Sequence, residues 1–171
     1  MGVGMKLLDA SSVICILKEI EEPRIYHICK ALGHELYVTK EVHEELEKNE
    51  ITYTKFQEFG MIHILNVDYA DEEIKQLKRK YPWMHDGEAS MLCAGNLLLK
   101  ANISFYCVID ERARKIAKRK NLPTTGTVGL ILWEKEKGQL EKKDVQEMKR
   151  KLDASPFYLS QACLEALDYG N

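Results

Sequence analysis

The chain has 171 residues, of which 45% are hydrophobic and 30% charged. That length fits one domain, since domains cluster at about 100–150 residues and single cores seldom exceed ~250. The apolar content excludes a disordered chain, and no apolar run approaches the ~18–20 residues that a bilayer span needs. Lys and Arg number 25 against 27 Asp and Glu, a net charge of −2, so a polyanion has to be met by a local patch and not by the whole surface.

The five cysteines, Cys15, Cys29, Cys93, Cys107 and Cys163, are odd in number and form no C-x-x-C pair. Neither a zinc site nor a disulfide framework is indicated. The histidines never fall into H-x-x-x-H spacing, which speaks against a histidine metal site. Nothing at the N-terminus has the basic, apolar and cleavage segments of a targeting signal, so a cytoplasmic location is expected. Met5-Lys6 also makes a plausible start, which would leave the first four residues as a disordered leader.

In chain order, short runs rich in β-favouring residues occur at Met5-Lys6-Leu7-Leu8, Leu36-Tyr37-Val38, Met61–Leu65 and Ser104–Ile109, and each has strand length. Leu122-Pro123-Thr124-Thr125 adds an edge strand. Between them, apolar residues recur three and four apart: Val13, Ile16, Leu17 and Ile20; Ile25, Ile28 and Leu32; Val42 and Leu46; Ile74, Leu77 and Tyr81; Met91, Leu92, Leu98 and Leu99. These spacings predict helices. Thr127 opens a further helix that Gly138 closes. Val145, Met148 and Leu152, then Leu159, Cys163, Leu164 and Leu167, give two more. Strands alternating with helices predict an α/β domain of three layers, α/β/α, with a mostly parallel central sheet. The expected organisation is a single domain over 1–171 whose last part, from about 140, is a helical extension.

Ligands of open parallel sheets collect beyond the carboxyl ends of the strands. Two predicted strands end in aspartate, Asp9 and Asp110, each followed at once by a helix start; an N-cap would explain either residue equally well. Glu45 lies beside the buried stripe of Val42 and Leu46. Asp86 reads as an N-cap, and Glu88 in the first turn after it can point toward the sheet end. Carboxylates converging there would repel one another unless protons are retained or a cation binds. Oxygen-only ligands select a hard ion, Mg²⁺ or Mn²⁺, whose matching chemistry is hydrolysis or transfer at a phosphodiester. Solvated caps and a solvated helix face are the alternative account.

Four stretches, Lys6-Leu-Leu-Asp9-Ala-Ser11, Val42-His-Glu-Glu45-Leu, Asp86-Gly-Glu88-Ala and Val108-Ile-Asp110-Glu-Arg112-Ala-Arg114, are followed by Thr125-Gly-Thr127-Val-Gly129. In that order they resemble the motifs of the PIN-domain fold over nearly the whole chain. The prokaryotic branch related to VapC-type toxins is the most similar. The resemblance implies a metal-dependent endoribonuclease with Asp9, Glu45, Glu88 and Asp110 as the acidic metal-binding set, and Ser11 as polar support. Asp86 is a reserve ligand. Glu111 stands where relatives often carry a second aspartate and is a peripheral contact. The resemblance further implies a homodimer and the role of toxin beside an antitoxin protein. A PIN-like module that binds RNA or protein without cutting is the alternative.

Arg112, Arg114, Lys115, Lys118, Arg119 and Lys120 put six cations within nine residues directly after Asp110. On a helix, Arg112, Lys115 and Arg119 would form an outer stripe able to hold an RNA backbone, or simply a solvated face. Thr125 and Thr127 flank Gly126 where a helix begins, which suits phosphate binding or an ordinary turn with an N-cap. Tyr81, Trp83 and Tyr106 either stack on bases or belong to the core. Neither a Walker loop nor a G-x-G-x-x-G fingerprint is present, so nucleotide use is unsupported.

Overall fold

The computed structural model describes residues 4–157 and 159–169. Most of the proposed leader lies outside them. The strands are β1 (Met5–Leu8), β2 (Glu35–Val38), β3 (Ile62–Ile64), β4 (Phe105–Val108) and β5 (Thr124–Thr125). They form one sheet in the order β3-β2-β1-β4-β5, and every pairing is parallel. Leu7 of the central strand stands opposite Tyr37 on one side and Cys107 on the other. Parallel neighbours need crossovers, and the helices supply them: α1 (Ala10–Ile14), α2 (Arg24–Ala31), α3 (Lys40–Glu47), α4 (Glu50–Phe59), α5 (Asp71–Lys80), α6 (Asp86–Lys100), α7 (Glu111–Arg119) and α8 (Thr127–Glu136). Two more, α9 (Lys142–Ala154) and α10 (Gln161–Tyr169), complete the chain's helices among the described residues.

Helices α3, α5 and α6 pack together, whereas α2 packs on β2 and α8, and α8 in turn carries α9 and α10. The result is the three-layer α/β/α arrangement with a mostly parallel sheet and a helical C-terminal extension. No helix among the described residues is long and apolar enough to cross a membrane.

Burial on both faces requires apolar strands, and β1 departs from this at one position. Lys6 is fully buried, its ammonium 4.4 Å from the Trp133 ring centre and 4.9 Å from that of Tyr106. Aromatic faces favour a cation electrostatically, yet burial lowers the Lys6 pKa to about 8. Burial likewise raises that of Glu134, also fully buried, to about 8. Each lies in the field of the other, which partly offsets both penalties.

Helix α4 has no counterpart in the hydrophobic periodicity, because it buries only Thr52 and Phe56. Its local signals are at its ends: Asn49 accepts the Thr52 amide hydrogen at 2.9 Å, and Gly60 closes it in the left-handed conformation at φ 67°. The first helix passes into a π-helical turn at Cys15–Glu19. Asp86 is not an N-cap; His85 takes that position and Asp86 is the first helical residue. Gly138, at φ 72°, does lie just past the end of α8.

One buried lock joins α3 to α6. The Thr39 hydroxyl accepts from the Val42 amide at 3.2 Å, capping α3, and lies 2.6 Å from the Ser90 hydroxyl. Ser90 donates to the Gly87 carbonyl at 2.6 Å, so its single proton is used there and Thr39 must donate to Ser90. Thr39→Val removes the cap and a buried donor together, which predicts a loss of about 2 kcal/mol. Urea unfolding should show a lower midpoint with unchanged slope, and Thr39→Ser should cost less.

Candidate functional site

Because β1 and β4 are adjacent and parallel, the residues just beyond them meet at one end of the sheet. The Asp9 amide donates to the Val108 carbonyl at 3.0 Å, extending that pairing by one residue. Asp9 is 2% exposed. Its Oδ1 accepts from the Ser12 amide at 2.7 Å and its Oδ2 from the Asp110 amide at 2.8 Å. Asp110 accepts from the Ala113 amide at 2.9 Å. Both aspartates are therefore N-caps, of α1 and α7. The cap role and a place at the sheet end turn out to be compatible.

Glu45 reaches across from α3, and its Oε1 accepts from the Gly87 amide at 2.9 Å. A Cβ at position 87 would stand 2.8 Å from Glu45 Oε2, so glycine is what permits this approach. The Glu88 carboxylate turns back to accept from the His85 amide at 3.0 Å, forming a capping box. Asp86 points elsewhere, pairing with Lys78 at 2.7 Å on the exposed surface.

The electrostatics tie the four acids together. Burial pushes the Asp9 carboxyl up to about 7 against the pull of its two amide donors, and Asp110 and Glu45 push it further the same way. Burial, then a hydrogen bond with Asp110, raises Glu88 to about 8, with Asp9 adding to the effect. Two carboxyls can share a hydrogen bond only if one keeps a proton. Among the described residues none of the four acids has an ion-pair partner.

A groove of about 1020 Å³ opens beside Asp9 and Asp110. Ser11 and Glu111 line it, but the direct donor to Asp9 is its neighbour Ser12, whose hydroxyl lies 3.3 Å from that of Thr127. Thr127 is buried at the start of α8, beneath the same groove. Arg112, Arg114, Lys115 and Lys118 line the groove as well, while Arg119 is not part of its lining. Arg112 also packs its guanidinium 4.2 Å from the Trp83 ring centre. Arg114 donates to the Ile109 carbonyl at 3.3 Å and lies so close to Gly126 that a Cβ there would meet its Nη1 at 2.0 Å. The Ser12 and Gly87 amides, and the place of Arg114 against Gly126, are thus contributions that the sequence does not give. The G-E pair at 87–88 and the glycine at 126 are the signals that could have found them.

By chemistry the acids fit a hard divalent ion, since the donors are carboxylates only; burial first, and the acidic neighbours after it, raise the Asp9 and Glu88 carboxyls. Their disposition is not a coordination shell. Among the described residues no group of three or more His, Cys, Asp or Glu side chains is placed to hold a metal ion, and each of the four carboxylates is engaged by a backbone amide instead.

The raised carboxyls fix the sign of a pH effect. Between their unfolded values near 4 and their folded values of about 7 and 8, the native state binds more protons than the unfolded one, so stability falls as pH rises. In EDTA the protein should be more stable at pH 5 than at pH 8. Glu134 contributes in the same window, while His34, whose pKa burial lowers, acts in the opposite sense below about 6.5, so the readout is the difference from Asp9→Asn, whose decline with pH in urea unfolding should be shallower.

Comparison with known proteins agrees with the topology. The model of the family described as DUF3368, PIN domain, matches residues 7–167. No curated protein and no solved structure matches. A five-stranded parallel sheet, acids at the ends of its two adjoining strands and a family match over most of the chain lead to one conclusion: the chain belongs to the PIN-domain family.

Proposed function

We propose that the protein hydrolyses phosphodiester bonds of RNA with Mg²⁺ or Mn²⁺, using Asp9, Glu45, Glu88 and Asp110 as the ligand set. The observation that carries this reading is the Asp9 carboxylate, 2% exposed, within the field of Asp110 and Glu45 and without a cationic partner among the described residues. A metal ion bound there would activate water and stabilise the charge that develops on the phosphate. The chain's own residues do the rest. Ser12 and the Asp110 amide hold the Asp9 carboxylate in one orientation, and Gly87 holds that of Glu45. Arg112, Lys115 and Arg119 on α7 serve the RNA backbone, with Ser11, Glu111 and Thr127 in supporting roles and Asp86 held in reserve by Lys78.

A second reading is a PIN domain that binds RNA or a protein and does not cut. It is favoured by the lack of a metal-ready group of side chains among the described residues. Action as the toxin of a toxin–antitoxin pair, and assembly as a homodimer, extend the first reading on the strength of the sequence resemblance alone.

Incubation of the purified protein with mixed single-stranded and structured RNA, in Mn²⁺ or in EDTA, separates the two. The nuclease reading expects cleavage with Mn²⁺ only, reduced at least about 100-fold in Asp9→Asn and in Asp110→Asn, both still folded. Gly87→Ala should lower cleavage as well, by displacing the Glu45 carboxylate, without loss of helix stability. RNA that is bound but left intact under every condition would establish the second reading and sink the first.

A further inference from the structure

The groove beside the acids has a second half that the acid chemistry does not use. Phe157 and Leu159, ahead of α10, and Cys163 and Ala166 on it line the groove and pack against the core, and they supply its apolar lining from the C-terminal part of the chain. Arg114, Lys115 and Lys118 of α7 also line the cavity, with Lys118 one turn from each of the other two. The cavity is continuous, running from Asp9 and Asp110 to the C-terminal helix in a single volume of about 1020 Å³. Such a size is at the top of the ~300–1,000 Å³ range of small-ligand sites.

We propose that this half is a subsite for one unpaired base of single-stranded RNA, seated against Phe157 while the cations of α7 hold the phosphate attached to it. The inference rests on RNA being the ligand of the neighbouring acids. Its basis is complementarity: an apolar wall joined to a cationic rim matches a ligand that is flat and apolar in one part and anionic in the next. A paired base cannot enter, because its faces are already covered in the stack. Asp9, Glu19, Asp110 and Glu111 line the same groove, four acids against the four cations, so charge alone does not make it an anion trap. Binding there has to depend on the base as well as on the backbone.

That dependence is the test. The full chain in EDTA is titrated with a fluorescent single-stranded oligoribonucleotide, with the same length of abasic chain, and with a duplex. The intact strand should bind at least about fivefold more tightly than the abasic one, since base-aromatic stacking is worth ~1–3 kcal/mol. Phe157→Leu should remove that difference and leave the salt dependence unchanged, and Phe157→Tyr should keep it. A measurement without any variant runs beside this. Cys163 is the only one of the five free thiols that is not buried, and it lines the groove, so the intact strand should slow its alkylation while the abasic chain should not.

Equal binding of intact and abasic strands, or equal protection of Cys163 by both, overturns the subsite. So does a base preference that survives Phe157→Leu undiminished. Cleavage with Mn²⁺ but without base dependence overturns the subsite alone; base-dependent binding without cleavage overturns the nuclease reading alone. Absence of RNA binding in EDTA overturns the subsite, and absence of both binding and cleavage with Mn²⁺ overturns the nuclease reading as well.

Discussion

The bond on which the site depends runs from the Asp110 amide to the Asp9 carboxylate, 2.8 Å long, between residues that leave two neighbouring parallel strands. It exists because β1 and β4 are adjacent and in register, so their chains exit side by side. The same pairing that buries Leu7, Leu8, Cys107 and Val108 therefore brings two acids together at the sheet end. Apolar burial in the strands holds a carboxylate where its own solvation would not leave it. The cost is visible in the Asp9 pKa, raised to about 7, and part of it is offset by two amide donors.

Much of this is legible in the sequence, and the reasons are specific. Short runs of β-favouring residues let β1, β2, β3 and β4 be located to within one or two residues, even though β3 is largely exposed, and alternation with helical periodicity implies the parallel sheet. Asp9 and Asp110 can be singled out because strand-terminal acids are conspicuous after such runs. Helix α4 escapes because its buried face amounts to Thr52 and Phe56, too little to register as a periodic stripe. His85 displaces Asp86 from the cap position because the Glu88 side chain, and not that of Asp86, closes the first turn.

The contributions that escape share a feature. Ser12 and Gly87 act on the acids through their main-chain amides, and Arg114 lies against the backbone at Gly126. Side-chain type carries little information about where an amide points, so the Ser12 amide is not visible in the sequence, whereas Ser11 is named through the family resemblance. The buried Lys6 is a different failure. Composition treats a lysine as surface, and only the tertiary arrangement of Trp133, Tyr106 and Glu134 around it makes burial tolerable.

The tether at Gly87 is vulnerable in a way that a side-chain contact is not. The Glu45 carboxylate is held by an amide that every residue except proline would supply, and what restricts position 87 is the space that a Cβ would take. The identity of the side chain next to it does not supply this hydrogen bond; the main chain at position 87 does. One methyl group at position 87 would force the Glu45 carboxylate to shift while leaving all four acids in the sequence. An inventory of the chain's carboxylates would then overlook the damage, because the missing element would be an empty volume.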